Sequence, residues 1–159
     1  MGVTMNPVWL HLLVNHIPII ATSLAVLVVA VGFIVKNNTI KQVGLVLYVV
    51  TGLTVYAANF TGEPAEDKIE HIDGISKKQI HAHEEAAELM VTLTSIALAL
   101  ALLHLFNRPS NTAVQRWVLI AFLVVGVGAS VQGVITGHEG GLIRRPDLGG
   151  LPATPAPVK

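Results

Sequence analysis

Four apolar stretches, each close to the length needed to cross a lipid bilayer, leave this chain little choice of fold. They run over about 8–35, 40–61, 86–106 and 114–136, against the roughly 20 residues that traverse a hydrocarbon core of about 30 Å. The helices carrying them are expected at about 8–35, 40–61, 78–106 and 113–137. Polar turns at Lys36–Thr39 and Asn107–Asn111 are short, and short connections make consecutive helices antiparallel. The expected fold is therefore all-α: an integral membrane, up-down-up-down four-helix bundle in one domain over 1–145. The remainder, 146–159, holds Pro146, Pro152, Pro155 and Pro157 and is expected as a flexible tail. The first stretch has no Lys or Arg before it and is too long for a signal-peptide core, so it reads as a mature helix.

Composition narrows the chemistry. Only 13% of residues are charged, about half the share of a soluble domain. Zero net charge without a basic block leaves nucleic acid no electrostatic handle. Cysteine is absent, which excludes Cys-ligated iron–sulfur clusters, covalently attached haem, disulfides and thiol catalysis. Histidine and carboxylate remain for metal or redox work, and the chain has seven histidines.

Threading the four helices places these residues. The N-terminus, the segment Glu63–Lys78 and the end of the fourth helix share one membrane face, here the first face. His11, His16, His71, His81, His83 and His138 belong to it, and only His104 belongs to the second. All ten acids, from Glu63 to Asp147, also fall on the first face, while the second carries Lys36, Lys41, Arg108 and Arg116. Loop polarity accounts for Glu70, His71 and Asp73. It does not account for His16, roughly 12 Å inside the first helix, where an ionisable group usually faces the bundle interior with a partner. Positive residues are denser on the second face, whereas Lys68, Lys77, Lys78, Arg144 and Arg145 make the first face slightly richer in number; with none before the first helix, the second face is expected in the cytoplasm. Both termini and the His/Glu-rich face are then expected on the periplasmic side of a bacterial inner membrane.

Individual motifs give the candidates. His11 and His16 point about 140° apart on a helix, so they do not share one ion; His16 is expected inward and His11 toward the interface or a second centre. His81 and His83 differ by about 200°, and His83 is the inward candidate. Gly137, Gly140 and Gly141 are expected to turn the chain after the fourth helix and hold His138 over the bundle mouth. Glu63 and Glu66 sit at the end of the second helix, where acids oppose the helix dipole and need a partner such as a cation, Arg144 or an imidazole N–H. Gly126, Ser130, Gly133 and Gly137, and likewise Thr51, Val55, Ala58 and Gly62, form smooth stripes that suit close helix packing or a flat cofactor.

These motifs, His-x4-His-x-Pro, Thr61-Gly62, the early histidine of the third helix and Thr136-Gly137-His138-x-Gly-Gly, resemble the pattern of small bacterial four-helix membrane proteins grouped as domain of unknown function 2231. The likeness covers about residues 9–145. Asn15-His16-Ile-Pro18, Gly62-Glu63-Pro-Ala-Glu66, His83-Glu84 and Gly140-Gly141-Leu-Ile-Arg144 bring it nearer to one subgroup. The resemblance implies the architecture. It also implies that position 138 varies in that subgroup, which weakens His138 as a ligand.

Three functions follow as expectations. The first is a b-type cytochrome that moves electrons between quinol and a redox partner on the first face. Its haem b would be held by His16 and His83, with His11 and His138 serving a second haem, and Asn15, Glu63, Glu66, Glu84 and Arg144 surrounding them. The second is a non-haem iron, manganese or zinc site built from His16, Glu63, Glu66, His83 and Glu84 and acting in oxidation or ion handling. The third is a non-catalytic subunit of a larger membrane complex.

Overall fold

The computed structural model describes residues 6–106 and 112–144. The expected Asn107–Asn111 turn, with Arg108, and the tail from Arg145 lie outside them. All regular structure in the described residues is helical: α1 Pro7–Val14, α2 His16–Ile34, α3 Asn38–Ile69, α4 Lys77–Phe106 and α5 Thr112–Arg144. α1 and α2 are two parts of one span, Pro7–Ile34, and the four spans are each long and apolar enough to cross a membrane.

The interruption at Asn15 has a local cause. Pro18 has no N–H for the Val14 carbonyl, and its ring crowds that carbonyl. The turn into α3 is equally explicit. Lys36 adopts φ 55, the Asn37 N–H reaches back to the Gly32 carbonyl at 2.9 Å, and the Asn37 side chain accepts from the Ile40 N–H. One left-handed residue and one cap thus reverse the chain in a few residues.

Two helices outrun their expected ends. α3 continues past Gly62 to Ile69 with Pro64 inside it, and α5 continues through Gly137, Gly140 and Gly141 to Arg144. Pro64 is carried within the helix on its exposed side, where it removes the donor to the Phe60 carbonyl. The loop on the first face shrinks to 70–76 and turns at Gly74, whose φ of +90 suits glycine alone. Helices of about 30 residues are roughly 45 Å long, so their ends project beyond a hydrocarbon core of about 30 Å.

The spans pack in a ring in chain order: α2 on α3, α3 on α4, α4 on α5 and α5 on α2, each pair antiparallel. Small residues set the closest approaches. A β-carbon on Gly44 would sit 2.6–2.7 Å from the side chain and backbone nitrogen of Val29. On Gly126 it would sit 2.9 Å from Val26, and on Gly133 3.1 Å from Met90. The α5 glycine stripe therefore serves helix packing. The core lies mid-bundle, where the Tyr48 and Phe122 rings meet edge to face with centroids 4.9 Å apart.

The outer surface is apolar. Leu13, Ile20, Leu27, Phe60 and Val124 are each more than half exposed, an arrangement that suits acyl chains and not water. Hydroxyls along the helices bond back to their own carbonyls, as Ser23 to Ile19, Thr51 to Leu47, Thr92 to Glu88 and Ser130 to Gly126. Such internal satisfaction is what a medium without water demands. The chain has the architecture of a multi-pass membrane protein.

Candidate functional site: an imidazole pair at the bundle mouth

The inward face of the first span is set by its buried residues Pro18, Thr22, Ala25, Val29 and Gly32. Followed back toward the N-terminus at helical spacing, that stripe passes through Asn15 and His11. The structure accordingly turns His11 inward and leaves His16 exposed, its Nδ1 3.3 Å from the Leu12 carbonyl of its own helix. The expected roles of the two histidines are reversed. With about 140° between them only one can face the interior, and the phase of the packed face selects His11.

His11 is steadied by α3. Its Nδ1 lies 3.1 Å from the Ala58 carbonyl and 3.2 Å from Thr61 Oγ1. A carbonyl can only accept, so Nδ1 carries the hydrogen, and in the neutral ring Nε2 keeps its lone pair. The Thr61 hydroxyl itself donates to the Ala58 carbonyl at 2.9 Å. Gly62 leaves room beside the ring, since a β-carbon there would lie 3.6 Å from His11 Cε1.

His83 is steadied in the same way by α5. Its Nδ1 donates to the Thr136 carbonyl at 3.0 Å, which again leaves Nε2 as the lone-pair nitrogen. Its ring rests on Gly140, where a β-carbon would come within 3.0 Å of Cε1 and 3.1 Å of Nδ1. Beneath it, Thr136 Oγ1 and Gln132 Nε2 both donate to the Ala86 carbonyl, at 2.9 and 3.0 Å. Those two bonds fix the register of α4 on α5 at this level.

The two imidazoles, from diagonally opposed spans, meet across the bundle with ring centroids 6.2 Å apart and planes inclined by 79°. Nδ1 bonded to a main-chain carbonyl and Nε2 left basic is the arrangement that orients a metal-ligating histidine. Histidine and tautomer chemistry thus fit a two-imidazole ligand set. The separation is close to that of two imidazoles on opposite sides of one metal, whose ring centroids lie about 6 Å apart with metal–nitrogen bonds near 2 Å.

The other expected ligands are not drawn in. His16 does not pair with His83, for the reason of helical phase given above. His138 is exposed on α5, because α5 stays helical through Gly137 and Gly140 and carries His138 outward; it forms no pair with the inward His11. Glu63 is exposed. Glu66 and Glu84 face each other between α3 and α4, and His81 reaches Glu84 Oε2 at 3.0 Å from its exposed position. Two carboxyls in contact repel unless a proton or cation lies between them. Arg144 is exposed at the end of α5, and Glu139 instead accepts from Gln79 of α4. Asn15 is half-buried, and its Oδ1 has no hydrogen-bond partner among the described residues. The set His16, Glu63, Glu66, His83 and Glu84 is not gathered, and among the described residues no three His, Asp or Glu side chains are arranged to hold an ion.

Comparison with family models, curated proteins and solved structures finds no match to this chain.

Proposed function

We propose that His11 and His83 would hold a haem b in the first-face mouth of the bundle, and that the protein carries electrons in a bacterial inner membrane. The 6.2 Å separation of two imidazoles from opposed helices, each with Nδ1 on a carbonyl of a neighbouring helix, carries this reading. Two imidazoles, with no third His, Asp or Glu ligand gathered among the described residues, would suit a group that brings the rest of its own coordination. Bound there, haem supplies one-electron exchange between a membrane-dissolved quinol and a redox partner at the first face. The residues' own contributions are orientation and space. Ala58, Thr61 and Thr136 fix the rings and their tautomers, and Gly62 and Gly140 leave room for the rings. Positive residues are denser in the short second-face connections, at Lys36, Lys41 and Arg116, than on the first face, which favours a periplasmic first face.

The test is an optical spectrum of the purified protein and of its variants. A Soret band with split reduced bands is expected. It should be lost in His11→Gly and His83→Gly, restored in part by free imidazole, and kept in His16→Ala and His104→Ala. Loss in His16→Ala with retention in His11→Gly refutes the pair. A colourless protein holding one equivalent of iron, manganese or zinc transfers the two imidazoles to non-haem chemistry. Neither signal leaves a non-catalytic subunit of a larger complex.

A further inference from the structure

The interruption at Asn15 changes how the first span meets its neighbours. α2 packs against both α3 and α5, whereas α1 packs against α3 and makes no close approach to α5. At this end of the bundle an open groove of about 730 Å³ is lined by residues of α1, of α5 and of the end of α3 and its loop. Its lining includes the apolar side chains Trp9, Leu12, Ile69 and Ile72 beside the Asn6–Val8 start of α1. It also includes two cations, Lys68 from the last turn of α3 and Arg144 from the last turn of α5. No carboxylate lines it among the described residues. Glu70, two residues beyond Lys68, is turned to Lys77 at 3.5 Å and His71 at 3.1 Å. Trp9 is 74% exposed, and an exposed tryptophan at a span end sits at the level of lipid headgroups.

We propose that this groove binds an anionic phospholipid, with Lys68 and Arg144 on the headgroup phosphate and the acyl chain along Trp9 and Leu12. Its two-part lining carries the assignment. A free inorganic anion leaves the apolar part unmatched. A zwitterionic lipid brings its own cation to a place that already has two. Arg and Lys between helix ends at the interface are the chemistry that recognises anionic headgroups. The assignment rests on neither imidazole, so it stands or falls apart from the haem reading.

The chain has two tryptophans, so Trp117→Phe leaves Trp9 as the sole fluorophore. The full-length Trp117→Phe protein is placed in phosphatidylcholine nanodiscs doped with phosphatidylglycerol or phosphatidylcholine carrying brominated acyl chains. Quenching of Trp9 then reports which lipid occupies the groove. Phosphatidylglycerol is expected to be preferred by about five-fold per cation, up to about thirty-fold for the pair. Lys68→Gln with Arg144→Gln should bring the ratio to about one, while Lys36→Gln with Lys41→Gln on the second face should leave it unchanged. Equal quenching by both lipids in the Trp117→Phe parent overturns the proposal without reference to any charge variant. So does a preference that survives the Lys68/Arg144 double change. Loss of preference in millimolar inorganic phosphate, but not in chloride of equal ionic strength, assigns the groove to a free anion and also overturns it.

Discussion

Gly140 and Gly141 are neighbours on α5 with the same helical conformation, and only one of them touches the imidazole pair. A β-carbon at 141 meets nothing within 4 Å, whereas at 140 it lies 3.0 Å from His83 Cε1 and 3.1 Å from Nδ1. Such a contact is tighter than nearly all real β-carbon contacts, so Gly140→Ala must displace the ring by a few tenths of an ångström. The ring cannot retreat freely, because its Nδ1 is held by the Thr136 carbonyl at 3.0 Å. Both alanines gain the same helix preference, about 0.5–1 kcal/mol. That gain cancels in the comparison, leaving the overpacking term of about 1–3 kcal/mol as the difference between the two variants. Gly141→Ala should therefore raise the unfolding midpoint in detergent, read by far-ultraviolet circular dichroism, while Gly140→Ala should lower it or leave it level. Only Gly140→Ala should shift the histidine nitrogen resonances of His83. Equal effects of the two substitutions on both readouts would falsify the placement of His83 against α5.

Three further outcomes follow from the packing. Gly44→Ala puts a β-carbon 2.7 Å from the Val29 backbone nitrogen, which cannot rotate away; about 1–3 kcal/mol of destabilisation is expected, and a gain in the unfolding midpoint contradicts the α2–α3 seam. Thr136→Val keeps the shape and removes the hydroxyl that donates to the Ala86 carbonyl. A loss of about 1 kcal/mol is expected, measured in the same melts, and no loss would show that the Thr136 hydroxyl does not join α5 to α4. His81→Gln removes a surface contact with Glu84 whose partners are 80% and 42% exposed. It should change stability by less than about 0.5 kcal/mol, so a large loss would mean that His81 is buried.

The four spans and their order were legible because bilayer length and short polar connectors admit few alternatives. The gathering of histidines and acids at one face followed from counting passes. What failed was rotation about a helix axis. Spans one to four are apolar on nearly every side, so hydrophobicity does not mark the inward face as it does in a soluble bundle. The phase of the first span lies in its small and polar residues, Pro18, Thr22, Ala25 and Gly32. Extended back by four and three residues, they point to His11 and away from His16. The glycines of α5 misled in a second way. Gly137, Gly140 and Gly141 read as a helix end by turn chemistry, yet two of them admit neighbouring side chains, Ile19 at Gly137 and His83 at Gly140. Pro64 likewise reads as a stop, but on an exposed side of α3 it is carried within the helix. The His11–His83 contact itself needed coordinates, because no spacing within one helix encodes a meeting between two.

Each imidazole is braced by a span other than its own: the first by α3, the second by α5. The mouth is thus drawn together like a purse-string, with every strand of the bundle threaded through one knot. A group bound between the rings would fix the spacing of all four helices at this end, and by reciprocity a partner that spreads any one of them would weaken its binding.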